Sequence, residues 1–259
     1  MLTFRNTTFV LFIILLIFNI LGLTGFPIYY YYYILLVIVY LTLSFSMSFF
    51  IRSGFHMKVV CNGQTDKKIV SLTFDDGPDN QLTPKLLDQL HELDIPATFF
   101  CIGNKVEENK DLLQRMDQEG HLIGTHSFTH SNWFDFFSSP RMRKELVESS
   151  KSIFQVIGKK PLLFRPPYGV INPMLKKALR GSGLIVIGFS NRAWDTSSRN
   201  EEAICSRIVK KLRPGDIILL HDTIPESIEI IKNLIGILNQ EGYQIISLDK
   251  LLNISAYDV

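Results

Sequence analysis

Charge is missing from a long stretch near the start of this 259-residue chain: between Phe9 and Phe50 there is no Asp, Glu, Lys or Arg. The run is broken only at Leu23-Thr24-Gly25-Phe26-Pro27, where Gly and Pro punctuate helices. About 20 apolar residues cross a ~30 Å hydrocarbon layer, so residues 7–23 and 28–50 are read as two transmembrane helices forming a hairpin. A removed signal peptide fits less well. The apolar stretch outruns a signal core of ~7–15 residues, and no small-residue cleavage site separates the two halves. The tyrosines 29 to 33 suit an interfacial aromatic belt. Lys and Arg are also absent from the hairpin turn, while Arg5 precedes the first span and Arg52, Lys58, Lys67 and Lys68 follow the second. Taken literally, that asymmetry places both ends in the cytoplasm, although a single residue carries the bias before the first span.

Cysteine is scarce. Cys61, Cys101 and Cys205 are odd in number and form no CxxC, which excludes a disulfide framework and a cysteine zinc site. Cys101 lies in Ala97-Thr98-Phe99-Phe100-Cys101-Ile102 and reads as a core residue. A net charge of +2, with neither a basic stripe nor an aromatic RNA-binding motif, gives no case for nucleic acid. No internal repeat or low-complexity linker is present, and no protein partner is indicated.

What remains alternates short Val-, Ile- and Phe-rich runs with longer amphipathic ones, the βαβα pattern of an α/β fold. Strands are expected over 69–74, 97–102, 122–125, 162–165, 184–189, 216–221 and 244–247. Helices are expected over 83–93, 141–157, 201–212 and 227–240, the second ending before Gly158 and the fourth closing into Glu241-Gly242. The chain thus divides into a two-helix anchor (1–54), a linker (55–66) and one domain (67–259) of ordinary size. Unusual polar residues follow at least five strands: Asp75 and Asp76, His126 and His130, Arg165, Asp195, and His221. Loops converge at one mouth in a barrel, whereas an open sheet would scatter these residues along a line.

Adjacent carboxylates in Thr73-Phe74-Asp75-Asp76-Gly77-Pro78 would, alone, be a turn element. His126-Ser127-Phe128-Thr129-His130 brings two imidazoles to one side of a tight turn. Two histidines plus one carboxylate leave a coordination position open, the arrangement of a catalytic metal site. With these residues in view, the chain resembles the polysaccharide deacetylase family, also called the NodB-homology family or carbohydrate esterase family 4. The likeness covers nearly all of 67–252. It rests on TFDDGP at 73–78, H-S/T-x-x-H at 126–130, R-x-P-F/Y as Arg165-Pro166-Pro167-Tyr168, and L-x-H as Leu219-Leu220-His221.

The resemblance implies a distorted (β/α)7 barrel, in agreement with seven expected strands. It implies that Asp76, His126 and His130 bind a divalent metal, Zn²⁺ being the first expectation and Co²⁺, Mn²⁺ or Ni²⁺ admitted by the same ligands. It further implies that Asp75 is the general base, that Arg165 orients it, that the Tyr168 backbone N–H helps stabilise the oxyanion, and that His221 is the general acid. Leu219 would line the acetyl pocket. Asp195 is expected to raise the pKa of His221. The match weakens here, because family members often have Asp-Trp and this chain has Trp194 before the acid. Trp194 is read either as a pocket wall or as a packed core aromatic. His56, His91 and His121 match no motif. The expected substrate is an N-acetylated glycan of the envelope, peptidoglycan or chitin-like. That places the domain on the extracytoplasmic side, against the literal charge count. A lipid-linked amino sugar, which would be deacetylated or deformylated, and a catalytically silent glycan-binding role are the alternatives.

Overall fold

The computed structural model describes residues 2–197 and 200–258. Helices α1 (Phe4–Leu23) and α2 (Tyr30–Ser48) are 20 and 19 residues long and pack as an antiparallel hairpin. At 1.5 Å per residue each extends about 30 Å, and both are long and apolar enough to cross a membrane. Thr8 and Tyr40 bridge them through a hydroxyl pair at 2.6 Å.

The remaining elements, in chain order, are β1 (Ile69–Asp75), α3 (Thr83–Glu92), β2 (Ala97–Cys101), α4 (Gly103–Glu108), α5 (Lys110–Gln118), β3 (Leu122–Thr125), α6 (Ser139–Ile157), β4 (Lys160–Pro161), β5 (Leu163–Phe164), α7 (Pro173–Ala178), β6 (Ile185–Val186), β7 (Asn191–Arg192), α8 (Glu201–Lys210), β8 (Ile217–His221), α9 (Ser227–Gln240), β9 (Gln244–Ile245), α10 (Leu248–Leu252) and β10 (Tyr257–Asp258). Strands β4 and β10 form a small antiparallel pair. The rest make one parallel sheet in the order β6-β5-β3-β2-β1-β8-β7, with β9 beside the first residues of β1.

The two ends of that path are a single piece of chain. Residues 184–189, expected as one strand, pair with β5 as β6; the chain then bends through Gly188, Phe189 and Ser190 and pairs with β8 as β7. A strand that changes partners halfway along its length curls the sheet round on itself, and the result is the distorted barrel. Along β1, Val70, Leu72 and Phe74 face the outer helices and share a core with Leu86, Leu87 and Leu90 of α3 and with Ile230, Ile231 and Leu234 of α9. The alternate positions Ser71, Thr73 and Asp75 face inward. This two-residue period repeats in β8, where Ile218 and Leu220 join the outer core. Burying each such side chain contributes about 1.5–3 kcal/mol before entropy is counted. Phe100, Ile217, Leu248 and Leu251 close the barrel floor, α10 acting as its plug.

The stretch 55–66 lies along the barrel. Val60 N–H donates to Val186 O at 2.9 Å and Gly188 N–H donates to Val60 O at 2.7 Å, so this segment borders β6. A Cβ on Gly188 would stand 2.6 Å from Cys61 Sγ. The hairpin's open end is fixed to the same side: Phe4 N–H donates to Phe55 O, and Ile171 N–H donates to Ser48 O at 2.9 Å. His56 Nε2 lies 3.0 Å from Ser48 Oγ.

Candidate metal and catalytic site

Every chemical group singled out in the sequence stands at the carboxyl ends of the barrel strands. Asp75 and His221 close β1 and β8, His126 follows β3, and Arg165 follows β5. Asp76, Ser127, His130, Tyr168 and Trp194 all have positive φ, between 48° and 75°, and they surround this mouth. Non-glycine residues held in the left-handed region concentrate where a site over-determines its backbone.

Asp76 Oδ1 is 3.4 Å from His126 Nε2 and 3.3 Å from His130 Nε2. Among the described residues these three form a group able to hold a metal, with ligand atoms all within 4.8 Å of one another. The donor chemistry fits a divalent cation, because His126 Nδ1–H donates to Arg165 O at 2.8 Å and thereby leaves the Nε2 lone pair facing Asp76. His130 is set by a turn in which its N–H donates to Ser127 Oγ. Burial opposes the charge on Asp76, yet its hydrogen bond to His126 and the neighbouring imidazoles of His126, His130 and His221 hold the carboxyl well below the usual range. Burial and the adjacent His126 push His130 down to about 4.

Arg165 is the buried centre of the barrel. It is 1% exposed and lies over the Phe100 ring with its guanidinium carbon 4.1 Å from the centroid. Nη1 donates to Asp75 Oδ1 at 2.8 Å and to Thr73 Oγ1 at 2.9 Å, and Nη2 donates to Gly188 O at 2.9 Å. One cation therefore orients Asp75 and satisfies a carbonyl that the barrel-closing bend turns inward. On the opposite side Asp195, buried at 2% exposure, grips His221 twice. Oδ1 lies 2.8 Å from His221 Nδ1, and Oδ2 accepts the His221 backbone N–H at 2.8 Å. Burial works against protonation of His221, but the Asp195 hydrogen bond and charge raise its pKa.

These residues surround a cavity of about 240 Å³ lined by Asp75, Asp76, His126, His130, Arg165, Tyr168, Leu219 and His221, with Phe189, Arg192 and Thr196 completing the wall. The Tyr168 ring packs edge-on to His130 at 4.8 Å. Trp194 is not brought to that wall. It is 44% exposed, so it is not a core aromatic either, and its ring stacks on Arg192 at 4.2 Å, leaving the lining position to the arginine. A larger groove of about 430 Å³ near α6 and α7 is lined by Leu146, Val147 and Phe154 among others and contains no His, Asp or Glu.

Sequence reasoning missed three supports. Glu145 of α6 accepts the backbone N–H groups of Phe128 (3.0 Å) and Thr129 (2.8 Å) and so clamps the turn between the two histidines. Lys105 of α4 donates to Asp76 O at 2.7 Å. Asp222 is buried beneath Gly77, accepts from Thr83 Oγ1 at 2.7 Å, and is pushed by burial up to about 7. None of the three falls in the family motifs; a carboxylate on the buried face of α6 was the only available signal, and it applied to Glu145 alone.

The parallel barrel thus gathers two buried pairs, Asp75 with Arg165 and Asp195 with His221, around an Asp76/His126/His130 cluster. The chain belongs to the polysaccharide deacetylase family, whose model matches residues 62–187. A peptidoglycan-N-acetylglucosamine deacetylase of Bacillus cereus is 33% identical over 195 residues, covering 72% of this chain and 89% of that protein. The peptidoglycan-N-acetylmuramic acid deacetylase PdaA of Bacillus subtilis is 32% identical over 194 residues, 73% of each. The solved structure of the Bc1960 peptidoglycan N-acetylglucosamine deacetylase superposes with a TM-score of 0.73 at 28% identity, over 77% of this chain and 95% of that one.

Proposed function

We propose that this protein is a membrane-anchored, metal-dependent N-deacetylase acting on N-acetylated amino sugars of an envelope glycan, peptidoglycan first. The observation that carries the reading is the placement of the Asp75–Arg165 and His221–Asp195 pairs around one cavity that also contains Asp76, His126 and His130. Retention of base, acid and ligand cluster together speaks against a silent glycan-binding role.

Asp76, His126 and His130 would hold a divalent ion, Zn²⁺ by preference, which when bound supplies an acidified water and polarises the amide carbonyl. Asp75 takes up the proton of the attacking water, and the Arg165 guanidinium keeps that carboxylate ionised and aimed. The Tyr168 backbone N–H would help stabilise the developing oxyanion. Protonated His221 delivers its proton to the departing amine, and Asp195 holds the ring in the orientation that presents Nε2. Leu219 accommodates the acetyl methyl. Residues 67–259 form the catalytic domain, and α1 and α2 form the anchor that holds it on the extracytoplasmic side of the membrane.

The test is acetate release from isolated peptidoglycan and from N-acetylglucosamine oligomers by the full-length protein in vesicles. Chelation should abolish release and Zn²⁺ re-addition should restore it. Absence of acetate from folded, metal-loaded protein on both substrates would sink the proposal.

A further inference from the structure

The soluble part of the chain exposes two aromatic side chains more than any other, Trp133 at 68% and Phe136 at 73%, and they lie beside each other with ring centroids 5.9 Å apart. They follow His130 by three and six residues, and neither has a place in the chemistry above. Two hydrogen bonds and one peptide link connect this turn to the end of α2. Asn172 Nδ2 donates to Asp135 O at 2.9 Å, and the neighbouring Ile171 N–H donates to Ser48 O. The residues immediately after α2, Phe49 and Phe50, are themselves 56% and 62% exposed.

The length of the hairpin fixes the level of these groups. Helices of about 30 Å match the hydrocarbon thickness, so their open end, at Phe4 and Ser48, stands where the headgroup layer begins. The catalytic cavity is tied to that level by its own wall. Tyr168 OH donates to Asn132 Oδ1 at 2.9 Å, next to Trp133, and a Cβ on the lining residue Gly169 would come within 3.9 Å of Ile51, three residues past α2. Tryptophan, an apolar ring with one N–H, partitions to the membrane–water interface.

We propose that Trp133 and Phe136, with Phe49 and Phe50, seat in the interfacial layer of the bilayer that holds the hairpin, so that the catalytic mouth operates at the membrane surface on amino-sugar units presented there. The proposal rests on the hairpin spanning a membrane. The substrate class that follows is a glycan still carried on a membrane lipid, in preference to polymer far from the bilayer.

The chain has two tryptophans, so Trp194→Phe leaves Trp133 as the only indole reporter. In full-length protein reconstituted into vesicles, brominated phospholipids should quench Trp133, more strongly when the bromines lie near the headgroup than when they lie deep. Flotation of the vesicles tests the hairpin separately. Protein that floats while Trp133 remains unquenched by lipid overturns the aromatic seat and leaves the anchor standing; protein that does not float overturns both. In a second arm, Trp133→Ser combined with Phe136→Ser should lower turnover of a vesicle-borne N-acetylglucosaminyl lipid several-fold and leave a soluble N-acetylglucosamine oligomer unaffected. Equal loss on the two substrates would make the rim a sugar-stacking platform and defeat the proposal.

Discussion

Asp75 and His221 are register partners on the last rung of the β1–β8 pairing. In parallel neighbours such positions lie about 4.8 Å apart across the ladder, with side chains on the same face. A carboxylate and an imidazole thus enter one cavity from adjacent strands, and each is held by its own partner, Arg165 or Asp195.

The first expectation separates metal binding from proton transfer. Asp75→Asn should retain one equivalent of divalent metal and lose about 10²–10⁴-fold in turnover, the usual contribution of a general base. His126→Ala should lose the metal itself. Metal content by elemental analysis beside acetate release checks both, and a fully active Asp75→Asn would refute the assignment of the base.

Arg165 carries a structural role as well as an orienting one. Arg165→Met removes the cation from a buried ion pair and leaves the Gly188 carbonyl and the Asp75 carboxylate unsatisfied. Loss of one partner from such a pair costs about 3–5 kcal/mol. Thermal unfolding of the full chain should show the drop before any assay is run.

A third outcome concerns pH. His221 must be protonated to serve the leaving amine, so turnover falls as pH rises through its pKa, which Asp195 raises against the pull of burial. Asp195→Asn removes that support, and the alkaline limb of the kcat/KM profile should move to lower pH. An unmoved limb would mean that another group sets it.

Docking of the 55–66 stretch is testable at Gly188. Gly188→Ala places a methyl 2.6 Å from Cys61 Sγ and 3.0 Å from Val59 Cγ1. Overpacking of this kind costs about 1–3 kcal/mol. Cys61→Ala in the same chain should return part of the lost melting temperature, because the two side chains contest one space.

Periodicity and composition by themselves determined the hairpin, the α/β class and most element positions: β1, β2, β3 and α9 begin where the sequence places them. These are local properties, since apolar spacing and Gly or Pro punctuation act within a few residues. The motifs likewise named residues that the fold brings together: Asp75, Asp76, His126, His130, Arg165 and His221 line one cavity, and Asp195 is bonded to His221 beside it. Tertiary structure decided the rest. The segment 184–189 had the composition of one strand, but only Ile185 and Val186 pair with β5, and the curling of the sheet passes the chain on through 187–190 so that Asn191 and Arg192 pair with β8. Trp194 was left undecided between pocket and core and came to neither, because Arg192 offered its ring a partner at the rim. Glu145 reaches the histidine turn across 16 positions of sequence, and Ile171 reaches Ser48 across more than a hundred. Such partners are chosen by which surfaces meet when the chain closes, and no window of local sequence contains that information.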